Sequence, residues 1–530
     1  MERLSHPVEG DRARQGVAEF LERMRRRGMH LWSDNGQLRY RAPKGVIGPA
    51  EIERLRAART EIVEMLENPQ NAAVGELHFM ASKEGPFKPL AFSQLAHWHR
   101  LKRGEWRSSP QISRVLRLDG SLNVEAFQHA LDVVVHHHQA LCTNFAIVDG
   151  ELTQQIGGKG NYSLSMDDLS SVDADRIDVE KKRLVDSTLY STGPDPTGVV
   201  LNVRLIKLTE TAHVLVVAMD HMISDALSMD IFLSHVSETY HRISERRVIS
   251  LPRIPTQFPE YAVSQHARIE SQVKAHAAFW QSEFLQQPRC RFPEENLSLV
   301  ESDDRSWASV PVHIEKDVKQ RLQIFSRARR ITLTLSVLTA YVATLLRWCN
   351  VADTVVLYQT SGRDSAAVEH TVGYFAAPVY LRVKLPENAS FAALIDIVKE
   401  AYCDAYEHAD YSYLATRQPP PDVTKSSLFN WVPHTIRQEL TGVVDSPFSI
   451  TSHVIATDDS DLREFQGDGE PGILLFDSEE GVRGRVQFPS RRFSARTMDR
   501  FARNFKMSVE SMLVDVDAQV NKISFTDQDF

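Results

Sequence analysis

The apolar run Val214-Leu215-Val216-Val217-Ala218-Met219 stops abruptly at Asp220-His221-Met222-Ile223-Ser224-Asp225-Ala226. A β-rich run of this length reads as a buried strand, and the polar residues behind it as the loop the strand delivers. Whatever this chain folds into must surround that strand and hold the loop at its end. A histidine so placed is held rigidly where a proton-transferring imidazole is useful, because its unperturbed pKa lies nearest working pH. Asp225, four residues on, is placed to orient the loop. The same spacing also fits an interior histidine satisfied at a strand end, and the motif alone does not choose between the two.

At 530 residues the chain exceeds one ordinary core, so two to four domains are expected. Its 42% hydrophobic and 25% charged residues match a soluble globular protein. No stretch of eighteen apolar residues suggests a membrane span, and the amino terminus MERLSHPVEGDRAR has no apolar segment of a secretory signal. Cys142, Cys290, Cys349 and Cys403 stand far apart without CxxC spacing, which argues against a zinc ribbon or disulfide framework. A reducing cytoplasm is the expected location. The net charge of -9 argues against nucleic acid as a partner.

The first seventy residues read as a separate unit. Helical spacing joins Val17, Phe20, Leu21 and Met24, with Gly28 as a stop. Asn35-Gly36 then separates two short runs, a strong hairpin signal because both turn positions need positive φ. A second helical pattern runs from Pro49 to Leu66. Residues 1–66 carry thirteen Lys/Arg against ten Asp/Glu, opposite in sign to the rest of the chain. Arg39, Tyr40 and Arg41 fall on the second strand and Lys44 just after it. This is an ordinary solvated face or an edge suited to adding a short acidic peptide as a further strand. The segment RRRGMHLWSDNGQLRYRAPKG resembles the β-hairpin docking domains at the amino termini of nonribosomal peptide synthetase subunits. The resemblance implies capture of a short linear motif at the carboxyl end of an upstream carrier-protein subunit. Arg39, Tyr40, Arg41 and Lys44 are then the expected peptide-binding residues.

Further along, Ser93-Gln94 and Trp98 enter a predicted helix, and Val124 to His136 forms another with Ala126, Phe127, Ala130, Leu131 and Val134 inward. A last helix is expected over Ala495 to Leu513. His136, His137 and His138 follow one another, but helical neighbours point about 100° apart and cannot face one metal ion together. With His138 through Phe145, His221 with Asp225, Tyr261-Ala262-Val263, Gly362-Arg363, Val372-Gly373-Tyr374-Phe375, His408 with Asp410, and Ser427-Leu428-Phe429-Asn430, the Ser93–Trp98 segment resembles in order the condensation domains of nonribosomal peptide synthetases. The resemblance spans roughly residues 85–520.

It is not complete. Asp220 stands where the family has the first histidine of His-His-x-x-x-Asp-Gly, and Ala226 where it has the closing glycine. Cys142 replaces an arginine, and Phe375-Ala376-Ala377 replaces Phe-Val-Asn. Asp220-x-x-x-x-Asp225-x-x-Ser228 also satisfies the pattern of heterocyclisation domains. The retained His221 and the Val372–Phe375 segment favour condensation. A catalytically silent recruiting domain of the same fold is a further alternative. A plant-type HxxxD acyltransferase using coenzyme A is disfavoured, because its Asp-Phe-Gly-Trp-Gly segment is missing.

The resemblance implies an α/β (α+β) fold, with two chloramphenicol-acetyltransferase-like lobes in a V around a central tunnel, behind the small docking domain. Expected boundaries are 1–67 for docking, 68–85 for a linker, 86–265 for the first lobe and 266–530 for the second. It implies transfer of an acyl, peptidyl or polyketidyl chain from the 4'-phosphopantetheine thioester of a carrier protein to an amine or hydroxyl. His221 is the expected catalytic residue, with Asp225, Arg363 and Asp220 as structural support, and Arg363 as the ion-pair partner of Asp225. No bound cofactor or metal is expected. No adenylation region follows, and no carrier-protein site appears beyond residue 430, so the chain is expected to be a free-standing enzyme or a piece excised from a larger synthetase, and nothing in it demands more than a monomer. Its acceptor would be a small molecule or carrier-bound, with chain release onto a free small molecule as one outcome.

Overall fold

The computed structural model describes residues 20–21, 24, 29–34, 37–41, 48–60, 62, 87–102, 111–148, 151–157, 162–189, 199–268, 279, 291–293, 295, 307–363, 365–409, 426–433, 449–451, 469–523 and 525. In the amino-terminal unit Phe20, Leu21 and Met24 are helical and precede the hairpin β1 (His30–Asp34) and β2 (Gln37–Arg41), antiparallel and in register from Asp34↔Gln37 to His30↔Arg41. Helix α1 (Pro49–Ala57) follows, with Glu51 accepting a hydrogen bond from the Gly48 N–H at 2.8 Å. The helix expected to run to Leu66 is interrupted at Ala58, although Ile62 is again helical. Phe20, Leu21, Met24, Met29, Leu55 and Ile62 make a small core against which Leu38 packs. Arg39, Tyr40 and Arg41 lie on β2, but their side chains, like Lys44 and the 68–85 linker, lie outside the described residues.

The next half of the chain alternates strands and helices. It runs β3 (Phe87–Lys88), α2 (Phe92–Lys102), β4 (Gln111–Asp119), α3 (Val124–His137), β5 (Asn144–Val148) and β6 (Glu151–Gln155). Then come β7 (Tyr162–Asp168), α4 (Ala174–Leu189), β8 (Leu201–Thr209), β9 (Ala212–Asp220) and α5 (Ala226–Ser244). Strand β9 lies centrally in its sheet, antiparallel to β4 on one side and β8 on the other. Its side chains alternate between two cores, which accounts for a run without polar interruptions. Leu215, Val217 and Met219 face α3 and α5, while Val214, Val216 and Ala218 face the core of Leu184 and Leu189 on α4. Each such Val, Leu or Met side chain stabilises the fold by roughly 1.5–3 kcal/mol when taken from water. Helix α3 is capped by the Asn123 side chain, which accepts from the Ala126 N–H, and buries the residues its spacing predicts.

The second half builds a sheet from β10 (Trp307–Glu315), β11 (Asp353–Thr360), β12 (Ala377–Lys384), β13 (Ser427–Val432), β15 (Gly472–Ser478) and β16 (Gly481–Pro489), in the order β10-β16-β15-β13-β11-β12. Helices α6 (Lys316–Arg329), α7 (Leu333–Trp348), α8 (Phe391–Glu407) and α9 (Ala495–Val514) accompany it. Almost every side chain of α7 is buried, so this helix forms the centre of the second core. Among the described residues no single helix is long and apolar enough to cross a membrane.

Two segments of the second half cross into the first. Strand β14 (Ser449–Thr451), from the second half, pairs antiparallel with β4 and extends the first sheet. Val368, Val372 and Phe375 enter the first core, where Phe375 packs edge-on against Phe258 at 4.9 Å. This crossing requires two glycines. Gly362 has φ +61, and a Cβ there would lie 1.9 Å from the Phe375 carbonyl oxygen. At Gly373 a Cβ would sit 2.3 Å from the Phe258 ring. Gly373→Ala therefore forces the ring or the crossing segment to move, an overpacking cost of about 1–3 kcal/mol. The expected outcome is a lower thermal unfolding midpoint, partly recovered by Gly373→Ala combined with Phe258→Leu.

Candidate active site

The loop at the end of β9 is a set of nested turns. Asp220 is 3% exposed, and its carboxylate accepts the Met222 N–H at 2.7 Å, an Asx-type turn. Its carbonyl accepts the Ile223 N–H at 3.1 Å and the Ser224 hydroxyl at 2.9 Å. From outside the loop, Gln94 of α2 donates through Nε2 to the Met222 carbonyl at 2.8 Å. This gives a physical reason for an aspartate at position 220: its side chain closes the turn that presents the next residue.

That residue is His221. Its Nδ1 lies 2.7 Å from the Ser224 carbonyl oxygen, which can only accept, so Nδ1 carries the proton. The neutral ring then has a bare lone pair on Nε2, and that nitrogen makes no hydrogen bond among the described residues. The residue is packed on most sides by protein but retains partial solvent exposure. Burial lowers its pKa below the ordinary value of 6.5, against the opposing influence of the Ser224 hydrogen bond and the Asp225 charge. At neutral pH the ring is therefore neutral and able to accept a proton.

Asp225 faces elsewhere. It caps the N-terminus of α5, Oδ1 accepting the Ser228 N–H at 2.8 Å. Oδ2 accepts from Arg363 Nη1 at 2.8 Å, from the Phe375 N–H at 3.0 Å and from the Ala376 N–H at 3.2 Å. Arg363 in turn donates to the Ser228 hydroxyl and the Thr371 carbonyl, and its guanidinium lies 4.3 Å from the Phe375 ring centroid. Both members of this ion pair are about 95% buried. Burial alone would raise the Asp225 pKa, but the Arg363 charge and the donated hydrogen bonds outweigh it and leave it below the ordinary 3.8. Ala226 opens α5 and is not among the positive-φ residues, so the missing glycine costs nothing there.

Three further side chains belong to this neighbourhood. Ser228 donates to the Gly373 carbonyl at 2.7 Å and accepts from the Gly373 N–H at 3.0 Å, joining α5 to the crossing segment. The Tyr374 ring packs 4.1 Å from the His221 ring, and His97 of α2 lies 5.9 Å away. His97 carries no signal in sequence and Tyr374 only its place in the matched Val372–Phe375 segment, since their nearness to His221 comes from the meeting of three distant segments. His136, His137 and His138 turn to separate partners: the Asp132 carbonyl, the Pro252 carbonyl and the His235 ring. Among the described residues no cluster of His, Cys, Asp and Glu is arranged to hold a metal ion. Of the two residues matched near the end of α8, His408 stacks on Phe279 and Asp410 lies outside the described residues.

The condensation-domain family model matches residues 87–530, and a model of the TubC N-terminal docking domain matches residues 17–68. The chain belongs to the condensation-domain family, with an N-terminal docking domain. It is 24% identical over 467 residues to malpibaldin synthetase of Mortierella alpina, covering 82% of this chain and 8% of that protein. To surfactin synthase subunit 1 of Bacillus subtilis it is 23% identical over 415 residues, covering 76% of this chain and 11% of that one. The chain thus spans about a tenth of the length of these relatives. Among solved structures, the condensation domain of the monacolin K polyketide synthase MokA superposes with a TM-score of 0.67 at 18% identity, covering 82% of this chain and 99% of that one. The X-domain in complex with OxyB from teicoplanin biosynthesis gives the same score and identity, covering 86% and 100%. These likenesses establish the chloramphenicol-acetyltransferase-like fold of condensation domains.

Replacing Asp225 by Asn leaves the Arg363 charge buried without its counter-ion and turns an amide N–H toward donors. Breaking such a pair costs about 3–5 kcal/mol. Because the folded pKa of Asp225 is depressed, its stabilisation is present above the unfolded value of 3.8 and is lost as pH falls through the lower folded value. The melting temperature of the wild type should fall across that acid range, and Asp225→Asn should start lower and fall less.

Proposed function

We propose that this chain is an acyltransferase. It moves an acyl, peptidyl or polyketidyl group from the phosphopantetheine thioester of a carrier protein to an amine or hydroxyl acceptor. The observation that carries this reading is the His221 ring, pinned through Nδ1, partly exposed, and with an Nε2 that makes no hydrogen bond among the described residues. In the reaction the acceptor nitrogen or oxygen attacks the thioester carbonyl, and Nε2 takes the acceptor's proton. The tetrahedral intermediate collapses with loss of the thiolate, which takes the acceptor's former proton from the imidazolium, leaving an amide or ester and a free thiol. Holding two reactants in register can itself lower the barrier by about 7–11 kcal/mol, so an amine leans on the base less than a hydroxyl does. Asp225, Arg363 and Asp220 shape the loop and stay out of proton transfer.

The domain division that accompanies this reading is docking over 1–67, linker over 68–85 and two lobes over 86–265 and 266–530, with the tunnel between the lobes reaching His221. The hairpin carrying Arg39, Tyr40, Arg41 and Lys44 recruits the donor carrier by binding a short linear motif at its carboxyl end. The acceptor is a free small molecule, which would release the chain, or a carrier-bound group, and the reaction runs in the cytoplasm with the protein as a monomer. The heterocyclisation alternative is weakened because both carboxylates of Asp220-x-x-x-x-Asp225 already serve turn, cap and ion-pair hydrogen bonds. A recruiting role gains support from the X-domain relative seen in complex with OxyB.

The test mixes the chain with an acyl-loaded carrier protein and candidate amines and alcohols, and follows the carrier by intact mass. Loss of the acyl mass with appearance of product supports transfer, whereas firm carrier binding without product selects the recruiting role. His221→Ala should slow transfer to a hydroxyl by about 10²–10⁴-fold and to an amine by less. The rate should fall as pH drops, with a midpoint below 6.5. Arg39→Glu with Arg41→Glu should raise the KM for the carrier while leaving transfer from a small thioester mimic unchanged.

A further inference from the structure

The hydrogen bond between Nδ1 and the Ser224 carbonyl oxygen restrains the His221 ring at one edge. A second contact bears on the ring itself. The Tyr374 ring lies against the His221 ring with centroids 4.1 Å apart and planes at 39°. His97, 1% exposed, stands edge-on to both, 5.9 Å and 67° from His221 and 6.0 Å and 89° from Tyr374. The three rings come from three segments: α2, the loop after β9, and the crossing segment before β12. Separate hydrogen bonds hold those segments together. Ser93 of α2 donates to the Tyr374 carbonyl, Gln94 to the Met222 carbonyl, and Ser228 brackets Gly373. The ring cluster is therefore framed by its own hydrogen bonds rather than met by chance.

From this geometry we infer that Tyr374 is a positioning residue for His221, holding the imidazole plane so that Nε2 faces the acceptor and favouring the imidazolium through its ring face, with His97 buttressing both rings. The face of an aromatic ring carries negative charge and attracts a cation laid against it. Tyr374 thus raises the proton affinity that burial lowers, without touching the substrate. Among the described residues the other ionisable groups near this ring are His97 from α2 and Asp220 and Asp225 from its own loop, with Arg363 paired to Asp225.

This inference rests on the base role proposed for His221, but its test does not depend on turnover. The full chain is labelled with 13Cε1-histidine, the His221 resonance is assigned with His221→Ala, and its titration is followed in wild type, Tyr374→Phe and Tyr374→Leu. Tyr374→Phe should titrate like wild type. Tyr374→Leu should lower the midpoint by about half a unit to one unit, the shift expected for a cation–π contact of this kind. Where carrier assays give turnover, Tyr374→Leu should reduce kcat and move the pH–rate midpoint the same way, with KM unchanged and the loss rescued by Tyr374→Phe. If Tyr374→Leu does not fold, phenylalanines of increasing fluorination at position 374 keep the ring shape while withdrawing charge from its face, and the midpoint should fall stepwise. A midpoint that ignores both the leucine and the fluorinated rings overturns the inference. A midpoint that moves in a protein that transfers nothing supports the ring assignment and refutes only the acyltransferase reading.

Discussion

The Asp225 carboxylate joins parts of the chain that are 150 residues apart in sequence. One oxygen caps α5, and the other gathers the Arg363 guanidinium and two backbone N–H groups of the crossing segment. In a buried setting each of those donors would be costly if left unpaired, and so would the carboxylate. The arrangement is stable only when all parts are present together. Loop, helix and crossing segment consequently have one relative placement, and the neighbourhood of His221 inherits it.

That placement explains how a histidine can be both enclosed and available. Surrounding protein holds the ring neutral, the Ser224 carbonyl selects its tautomer, and the remaining nitrogen faces no partner among the described residues. The stack of His138 on His235 shows the contrasting case. There Nε2 of one ring meets Nδ1 of the other at 3.0 Å, and burial beside neighbouring imidazoles pushes His235 down to about 4. Those two nitrogens are occupied by each other. The difference between an interior histidine and a reactive one lies in what the second nitrogen is given to bind.

Much of this was legible in the chain itself, for identifiable reasons. Strand β9 could be read because a strand buried on both faces leaves a continuous apolar run, and the β1–β2 hairpin because Asn35-Gly36 marks a tight turn. Helices α3 and α9 follow their periodicity to within a residue or two of the expected ends. The pairing of Asp225 with Arg363 has no local signature, and only the family resemblance pointed to it. The stacking of Tyr374 on His221, the place of His97, and the passage of β14 into the first sheet were not legible at all. Each depends on where a distant segment lands, and no periodicity encodes that. Asp220 illustrates a subtler limit: it stands out in sequence only as a departure from the family pattern, whereas its turn-closing hydrogen bond becomes clear when the loop is seen folded.

Everything proposed for catalysis requires that His221 offer a bare Nε2 at neutral pH. The ring 15N shifts of His221, in protein selectively labelled on histidine, report this directly. The neutral Nδ1–H tautomer is expected, with Nε2 carrying the shift of an unprotonated nitrogen, from neutral pH down to below 6.5. A ring protonated on Nε2 at pH 7, whether as the other tautomer or as the cation, would overturn it.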